Sequence, residues 1–334
     1  MDRRLTIVDI AKIAGVSRQT ISRVLNNKGE VNEDTRKRIL DIINEVGFQP
    51  SIQARSMVTK KTNTIALLVP DITNPFFSEI VRGIERTIRI HGFNAMLFST
   101  DEGAEREISC IRLSRHYNVD GIILCSPRLD DLNLSKLIPD IRPLALLNRE
   151  IEEIDGVFSL IVDAQTGGYD AAKYLLDSGH KEIGIIVGPS HALSSIKRLN
   201  GYKQALSEYG VEIDDGLIVH VDTPDTNIHE EAQKLINRHV TAILTYNDMA
   251  AANVIQTCTD MGLEVPKDIS VIGFDGIPLS KLLNPRLTTM ELPLFNIGET
   301  LANALMDIIS GKETSYKRAV VLPTLKLRNS TITH

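Results

Sequence analysis

The 334-residue chain has no tryptophan, only 4% aromatic residues and only three cysteines. Cys110, Cys125 and Cys258 are odd in number, far apart and without CxxC spacing or histidines at ligand spacing, so neither a disulfide framework nor a zinc site organises the fold. No run approaches the ~18–20 apolar residues that a membrane span requires. Met1-Asp2-Arg3-Arg4 leads into no apolar export segment. GxSxG, Walker and GxGxxG patterns are missing, as are HxxxH and HxH pairs, and no catalytic or metal-binding apparatus is visible. These absences point to a soluble cytoplasmic protein that is not an enzyme and uses no metal or cofactor. The 43% apolar residues, spread along the chain, suffice for a sizeable core, and the length suits about two domains.

Charge is unevenly placed. Residues 1–61 hold 12 Lys+Arg and 7 Asp+Glu, a net +5, which leaves −11 for the rest of a chain whose total is −6. A basic head on an acidic body expects a polyanion at the head, although a solvated charge distribution explains the same count.

Within the head, Thr6-Ile7-Val8-Asp9 has the form of a capping box and opens a short helix through Ala14, with Ile10, Ala11 and Ala14 on one face. Gly15 ends it, Val16 can tuck into the core, and Ser17 caps a second helix, Arg18 to Leu25. Two short helices joined by a glycine-containing turn form a helix-turn-helix candidate. Ile21, Val24 and Leu25 face inward, while the pairs Arg18/Ser22 and Gln19/Arg23 share the outer side. Arginine can grip guanine and glutamine adenine by two hydrogen bonds each; a wet polar helix face is the plain alternative. A third helix begins near Asn32, with Ile39, Leu40 and Ile43 as its core stripe and Gly47 beyond its end. Arg36, Lys37 and Arg38 on it are either phosphate contacts or ordinary surface. Residues Ile52 to Val58 make two turns of helix, too few to be stable alone.

The run Thr6 to Ala14, Gly15-Val16-Ser17 and Thr20 to Asn26 resembles the DNA-binding head of the lactose/galactose-repressor (LacI/GalR) family of bacterial transcription regulators, and Ala54-Arg55-Ser56-Met57 is similar to that family's hinge helix. The likeness continues through Asp71 to Phe77, Asp120 to Ile123, Gly179-His180, Asn247-Asp248, Val271 to Asp275 and Pro285 to Thr289. It implies a homodimer on a palindromic double-stranded operator, in a bacterial cytoplasm and associated with the nucleoid. Arg18, Gln19 and Arg23 would read bases; Thr6, Ser17, Thr20, Ser22 and Asn26 would give backbone or auxiliary contacts. Ala54, Arg55 and Met57 would lie in the minor groove, with Met57 wedging where the family usually has Leu.

From Thr64 onward, β-rich runs (64–69, 94–98, 121–124, 144–147, 182–187, 217–221, 242–245, 269–272) alternate with helical patterns such as 77–91, 166–178, 195–209 and 249–261. That alternation argues α/β architecture with two doubly wound parallel sheets. The resemblance implies a body like periplasmic sugar-binding proteins, with subdomains 62–162 plus 291–322 and 163–290 plus 323–334, following a head at 1–49 and a hinge at 50–61. Three crossovers are expected near Val162-Asp163, Met290-Glu291 and Leu322-Pro323.

A small-molecule effector should sit between the lobes, beyond the carboxyl ends of the strands. Asp71, Asn74, Asn148, Arg149, Asn247, Asp248 and Asp275 all follow strands there, with Phe76 nearby, and Arg198 matches a position from which family members reach the ligand. Carboxylates, amides and Arg with one ring suit a hydroxyl-rich ligand such as a sugar; helix capping by Asp71, Asn247 and Asp248 is the competing role. Asn148 stands where the family often has Asp, and Ala164 where it often has Asn, so a nucleobase or a protein corepressor remains behind the sugar. A solute-binding module without DNA function and a sugar-processing enzyme are the other classes. His180, at a helix end, is expected to be structural, bonding the last carbonyls. The dimer interface is expected to use the helix at 77–91.

Overall fold

The computed structural model describes residues 5–25, 29, 31–48, 61–151, 154–221, 227–312 and 317–332. The expected contacts at Asn26, Ala54, Arg55 and Met57, and the expected hinge helix, lie outside the described residues. The chain forms two units, divided after Thr62.

The head contains α1 (Ile7–Ala14), α2 (Arg18–Leu25) and α3 (Glu33–Glu45). The capping box is formed: the Thr6 amide donates to Asp9 Oδ2 at 2.9 Å and the Asp9 amide to Thr6 Oγ1 at 3.4 Å. Gly15, at φ 63°, closes α1 in the left-handed conformation that a side chain would disfavour. Ser17 Oγ then accepts the Thr20 amide at 3.1 Å and starts α2. Ile10, Ile21 and Ile39 are fully buried where the three helices meet, and Phe48 closes the core. Leu40 departs from expectation. It is 41% exposed, because Ile42 and Ile43 share the face of Ile39 while Leu40 sits about 100° around the helix. Arg38 donates Nη2 to Ala14 O at 3.3 Å, fastening α3 to the end of α1.

The body has two six-stranded sheets, one in each lobe. In the first lobe β1 (Thr64–Val69), β2 (Asn94–Ser99), β3 (Gly121–Cys125), β4 (Leu144–Leu147), β5 (Val157–Val162) and β11 (Arg318–Val321) lie in the order β11-β5-β4-β3-β1-β2, all parallel. In the second, β6 (Ile183–Val187), β7 (Ile218–His220), β8 (Ala242–Thr245), β9 (Ser270–Asp275), β10 (Thr288–Glu291) and β12 (Thr324–Lys326) run β12-β10-β9-β8-β6-β7. Only β12 is antiparallel there, to β10. The chain therefore passes between sheets after β5, after β10, and between β11 and β12.

Helices α4 (Pro75–Ile90), α5 (Ala104–His116), α6 (Asp131–Ile141), α7 (Ala164–Asp177), α8 (Leu193–Glu208), α9 (Ile228–Ile236), α10 (Asp248–Asp260) and α11 (Leu294–Ile309) pack against these sheets. Their starts fall up to two residues earlier than hydrophobic spacing predicts. Asn74, Asp163 and Asn247 cap α4, α7 and α10 from the preceding position, each through its side chain.

One helix pair in each lobe is joined through glycines. A Cβ on Gly298 of α11 would strike Ile80 O of α4, and one on Gly83 would strike Phe295 O; Gly201 of α8 and Gly168 of α7 stand in the same relation to Gln165 O and Arg198 O. Both contacts need backbone against backbone. His180 is buried and structural, but not as expected: backbone amides of Gly179 and His180 take the carbonyls of Leu176 and Leu175, and the ring instead meets Thr241 Oγ1 (2.8 Å) and Ile332 O (3.3 Å).

Candidate functional site: a polar helix face and an inter-lobe cleft

On the head, Arg18 and Gln19 are exposed and Thr20, Ser22 and Arg23 half-buried, all on α2. Thr6 and Ser17 spend their hydroxyls on local bonds: Thr6 Oγ1 donates to Asp9 Oδ2 at 2.6 Å, and Ser17 Oγ pairs with Thr20 Oγ1 at 2.9 Å. Arg18 and Gln19 therefore offer the long donors that a groove-reading helix needs.

In the body, the residues expected at the cleft divide into two sets. Most hold the strand ends in shape. Asp71 Oδ1 accepts the Thr73 amide (2.8 Å), Asn74 Oδ1 the Phe76 amide (3.0 Å), and Asn247 Oδ1 the Ala250 amide (2.7 Å). Asn148, in a left-handed conformation at φ 58°, donates to Ser126 Oγ (3.1 Å) and accepts from the Val162 amide (3.1 Å), tying the ends of β3, β4 and β5. Arg149 turns into its own lobe, where it donates to Asp131 (2.6 Å) and to the carbonyls of Pro127 and Leu129. Phe76 is buried edge-on against Phe77, ring centres 4.9 Å apart, as part of the first lobe's core.

Asp248 is wholly buried. Its carboxylate accepts from Thr289 Oγ1 (2.5 Å) and from the Ile277 amide (2.8 Å), and burial pushes its pKa up to about 6. It clamps α10 to the loop after β9 and to β10.

Arg198 and Asp275 are the set brought together. Arg198 lies on α8 and Asp275 at the end of β9, and Nη2 stands 3.5 Å from Oδ1. Arg198 Nη1 donates to Tyr246 O, its guanidinium lies 3.7 Å from the Phe274 ring centroid, and its buried Nε has no partner. Burial pushes the Asp275 pKa up to about 8; Arg198 pulls it down and Asp248 adds to the rise. Asp275 also sits at φ 103°, a conformation that costs a non-glycine residue energy and is held by its surroundings. A strained, protonatable carboxyl beside an incompletely bonded arginine and a ring can bind hydroxyls by donating or accepting.

Across from it lies a group that the sequence reading missed. Glu102, following β2, accepts from Arg128 Nε at 2.5 Å and lies 3.8 Å from His191 Nε2 on the second lobe. Buried Glu107 accepts the Arg128 and Leu129 amides (2.9 and 3.2 Å) and so sets the Arg128 loop; burial raises its pKa. Both Glu102 and Arg128 follow strands at the cleft end, the position that flagged Asp71 and Asn148.

Among the described residues no group of His, Cys, Asp and Glu could hold a metal ion, and no helix is long and apolar enough to cross a membrane. The three cysteines are free and buried.

Residues 6–51 match the family described as bacterial regulatory proteins, lacI family, and residues 62–330 match the periplasmic binding proteins and sugar binding domain of LacI family. The chain is 35% identical over 332 residues to the HTH-type transcriptional regulator DegA of Bacillus subtilis, covering 98% of each chain. It is 33% identical over 336 residues to the HTH-type transcriptional repressor PurR of Photobacterium profundum, covering 97% of this chain and 98% of that one. Among solved structures, the transcriptional regulator CelR in complex with cellobiose shares 27% identity at a TM-score of 0.72, over 98% of this chain and all of that one. The chain belongs to the lacI family of bacterial regulatory proteins: it is a helix-turn-helix transcription regulator and not an enzyme.

Proposed function

We propose that the protein is a repressor that binds a palindromic operator as a homodimer in the bacterial cytoplasm and is controlled by a hydroxyl-rich small molecule, sugar-like in class, held between the lobes. The domain limits of this reading are head at 1–49, hinge at 50–61, first lobe at 62–162 and 291–322, second lobe at 163–290 and 323–334. Arg18, Gln19 and Arg23 read bases, and Met57 wedges the central step. Sugar binding in CelR and repression by PurR support the reading.

The observation that carries it is the pairing of Arg198 with Asp275 under Phe274, where one buried Nε still lacks an acceptor. Effector at that pair changes the relative positions of the lobes, and through them the affinity of the paired heads for DNA. A thermal-shift screen of sugars, nucleobases and related metabolites tests it, since a ligand at 100 times its Kd adds about 2.7 kcal/mol. A sugar hit that alters operator binding supports the proposal. A nucleobase hit replaces the ligand class, and silence from a protein that still binds its operator moves control to a protein corepressor.

A further inference from the structure

A second polar cavity lies on the second lobe, away from the Arg198–Asp275 pair in composition and in charge. It is open, about 490 Å³ in volume, and lined by Lys281, Arg286, Glu291, Lys326 and Arg328 among others. Four cations from two chain segments face a single carboxylate from a third. We propose that this cavity binds a small polyanion of the organic di- or polyphosphate class.

The walls are built, not draped. Arg328 is nine-tenths buried, and its guanidinium donates to Ser280 Oγ (3.2 Å), to Leu287 O and to Glu291 Oε1 (3.3 Å). The Leu287 amide donates to Ser280 O and the Asn329 amide to Arg286 O, both at 2.9 Å, which fixes the 280–287 loop against the segment after β12. Positions set in advance lower the ordering cost of binding.

Charge defines the ligand. Glu291 is shared by Arg328 (3.3 Å) and Lys281 (3.9 Å), whereas among the described residues Arg286 and Lys326 have no acidic partner. The excess of three positive charges exceeds what a monoanion neutralises. Planar guanidinium forks with an ammonium beside them match phosphoryl oxygens. The volume falls within the roughly 300–1,000 Å³ of small-molecule sites. An uncharged sugar has nothing to neutralise here, so the cavity is no second copy of the cleft.

The location gives it consequence. Glu291 ends β10 and Thr324 begins β12, so the cavity stands at the feet of two of the three crossings between lobes.

The test is calorimetric titration of the full-length protein with pyrophosphate at physiological salt. Saturable binding at one site per chain is expected, weakened about tenfold or more in the Arg286→Gln/Lys326→Gln double variant, whose exposed substitutions leave the melting temperature unchanged. Glu291→Gln, which removes the one opposing charge, tightens binding. Excess non-operator duplex leaves the pyrophosphate site filled. Absence of saturation, equal affinity in the double variant, or weaker binding in Glu291→Gln each overturns the proposal. Displacement by the duplex also overturns it, because the anion would then occupy a surface for nucleic-acid phosphates.

Discussion

The guanidinium carbon of Arg198 rests 3.7 Å from the centroid of the Phe274 ring, and the residue after that ring, Asp275, faces Nη2 of the same arginine at 3.5 Å. Strand β9 thus presents a ring and a carboxyl to one side chain of α8 in two consecutive residues. Arg198→Ala is expected to weaken effector binding by about tenfold to a hundredfold, from lost charge-assisted hydrogen bonds at about 1.5–3 kcal/mol. Operator affinity of the effector-free protein should be unchanged. The fold should survive, because Asp275, its pKa raised to about 8 by burial, stays protonated near neutral pH and leaves no unpaired buried charge when the guanidinium is gone. Calorimetry with the effector and operator gel shifts check both halves, and a normal response would place the ligand elsewhere.

Proton traffic at Asp275 gives a separate readout. Its pKa of about 8 leaves it largely protonated near neutral pH. Hydroxyls that donate to the ionised carboxylate lower that pKa, so effector binding should release a proton, and affinity should rise with pH up to about 8. Calorimetry in buffers of different ionisation enthalpy measures the release, and Asp275→Asn should abolish it. The same group costs stability in the opposite sense. The unfolded carboxyl ionises near 4, so between roughly 4 and 8 the folded state holds more protons and stability falls as pH rises. Asp248 adds the same slope up to about 6. A flat unfolding profile across that window contradicts the assignment.

Local signals were the legible part of the structure. The Thr6–Asp9 box, Gly15 and the Ser17 cap act over three or four residues, and all appear in place. Strand–helix alternation likewise reached the two mostly parallel sheets, though not the antiparallel β12. Side-chain direction at the cleft was not legible. Arg149 and Phe76 stand at strand or helix ends facing the cleft in sequence terms, yet tertiary partners draw one to Asp131 and the other into the core. The Glu102, Arg128 and His191 group joins residues far apart in sequence and on two lobes, which no short motif encodes.

The glycine contacts make a structural prediction. At Gly201 the backbone of α7 occupies the space of a Cβ, and backbone cannot swing aside as a flexible side chain can. Gly201→Ala should destabilise the body by about 1–3 kcal/mol or more, read as a lower denaturation midpoint at constant slope. Because α8 also carries Arg198, effector affinity should fall with it, whereas operator selectivity should not. An unchanged midpoint would mean that α7 and α8 separate without cost.

The head makes the last and most direct prediction. Gln19 is exposed on α2, one residue from exposed Arg18, on the side opposite buried Ile21 and Val24. A side-chain amide there can donate and accept at once, the pattern adenine offers in the major groove. Gln19→Ala should therefore relax base choice at one position of each half-site by about 1–3 kcal/mol, with selectivity elsewhere retained. Binding across a set of operators with single base changes, at fixed salt, separates this from loss of a phosphate contact. A lost phosphate contact weakens every sequence alike and flattens the salt dependence. Uniform weakening would reassign Gln19 to the backbone and leave Arg18 and Arg23 as the readers.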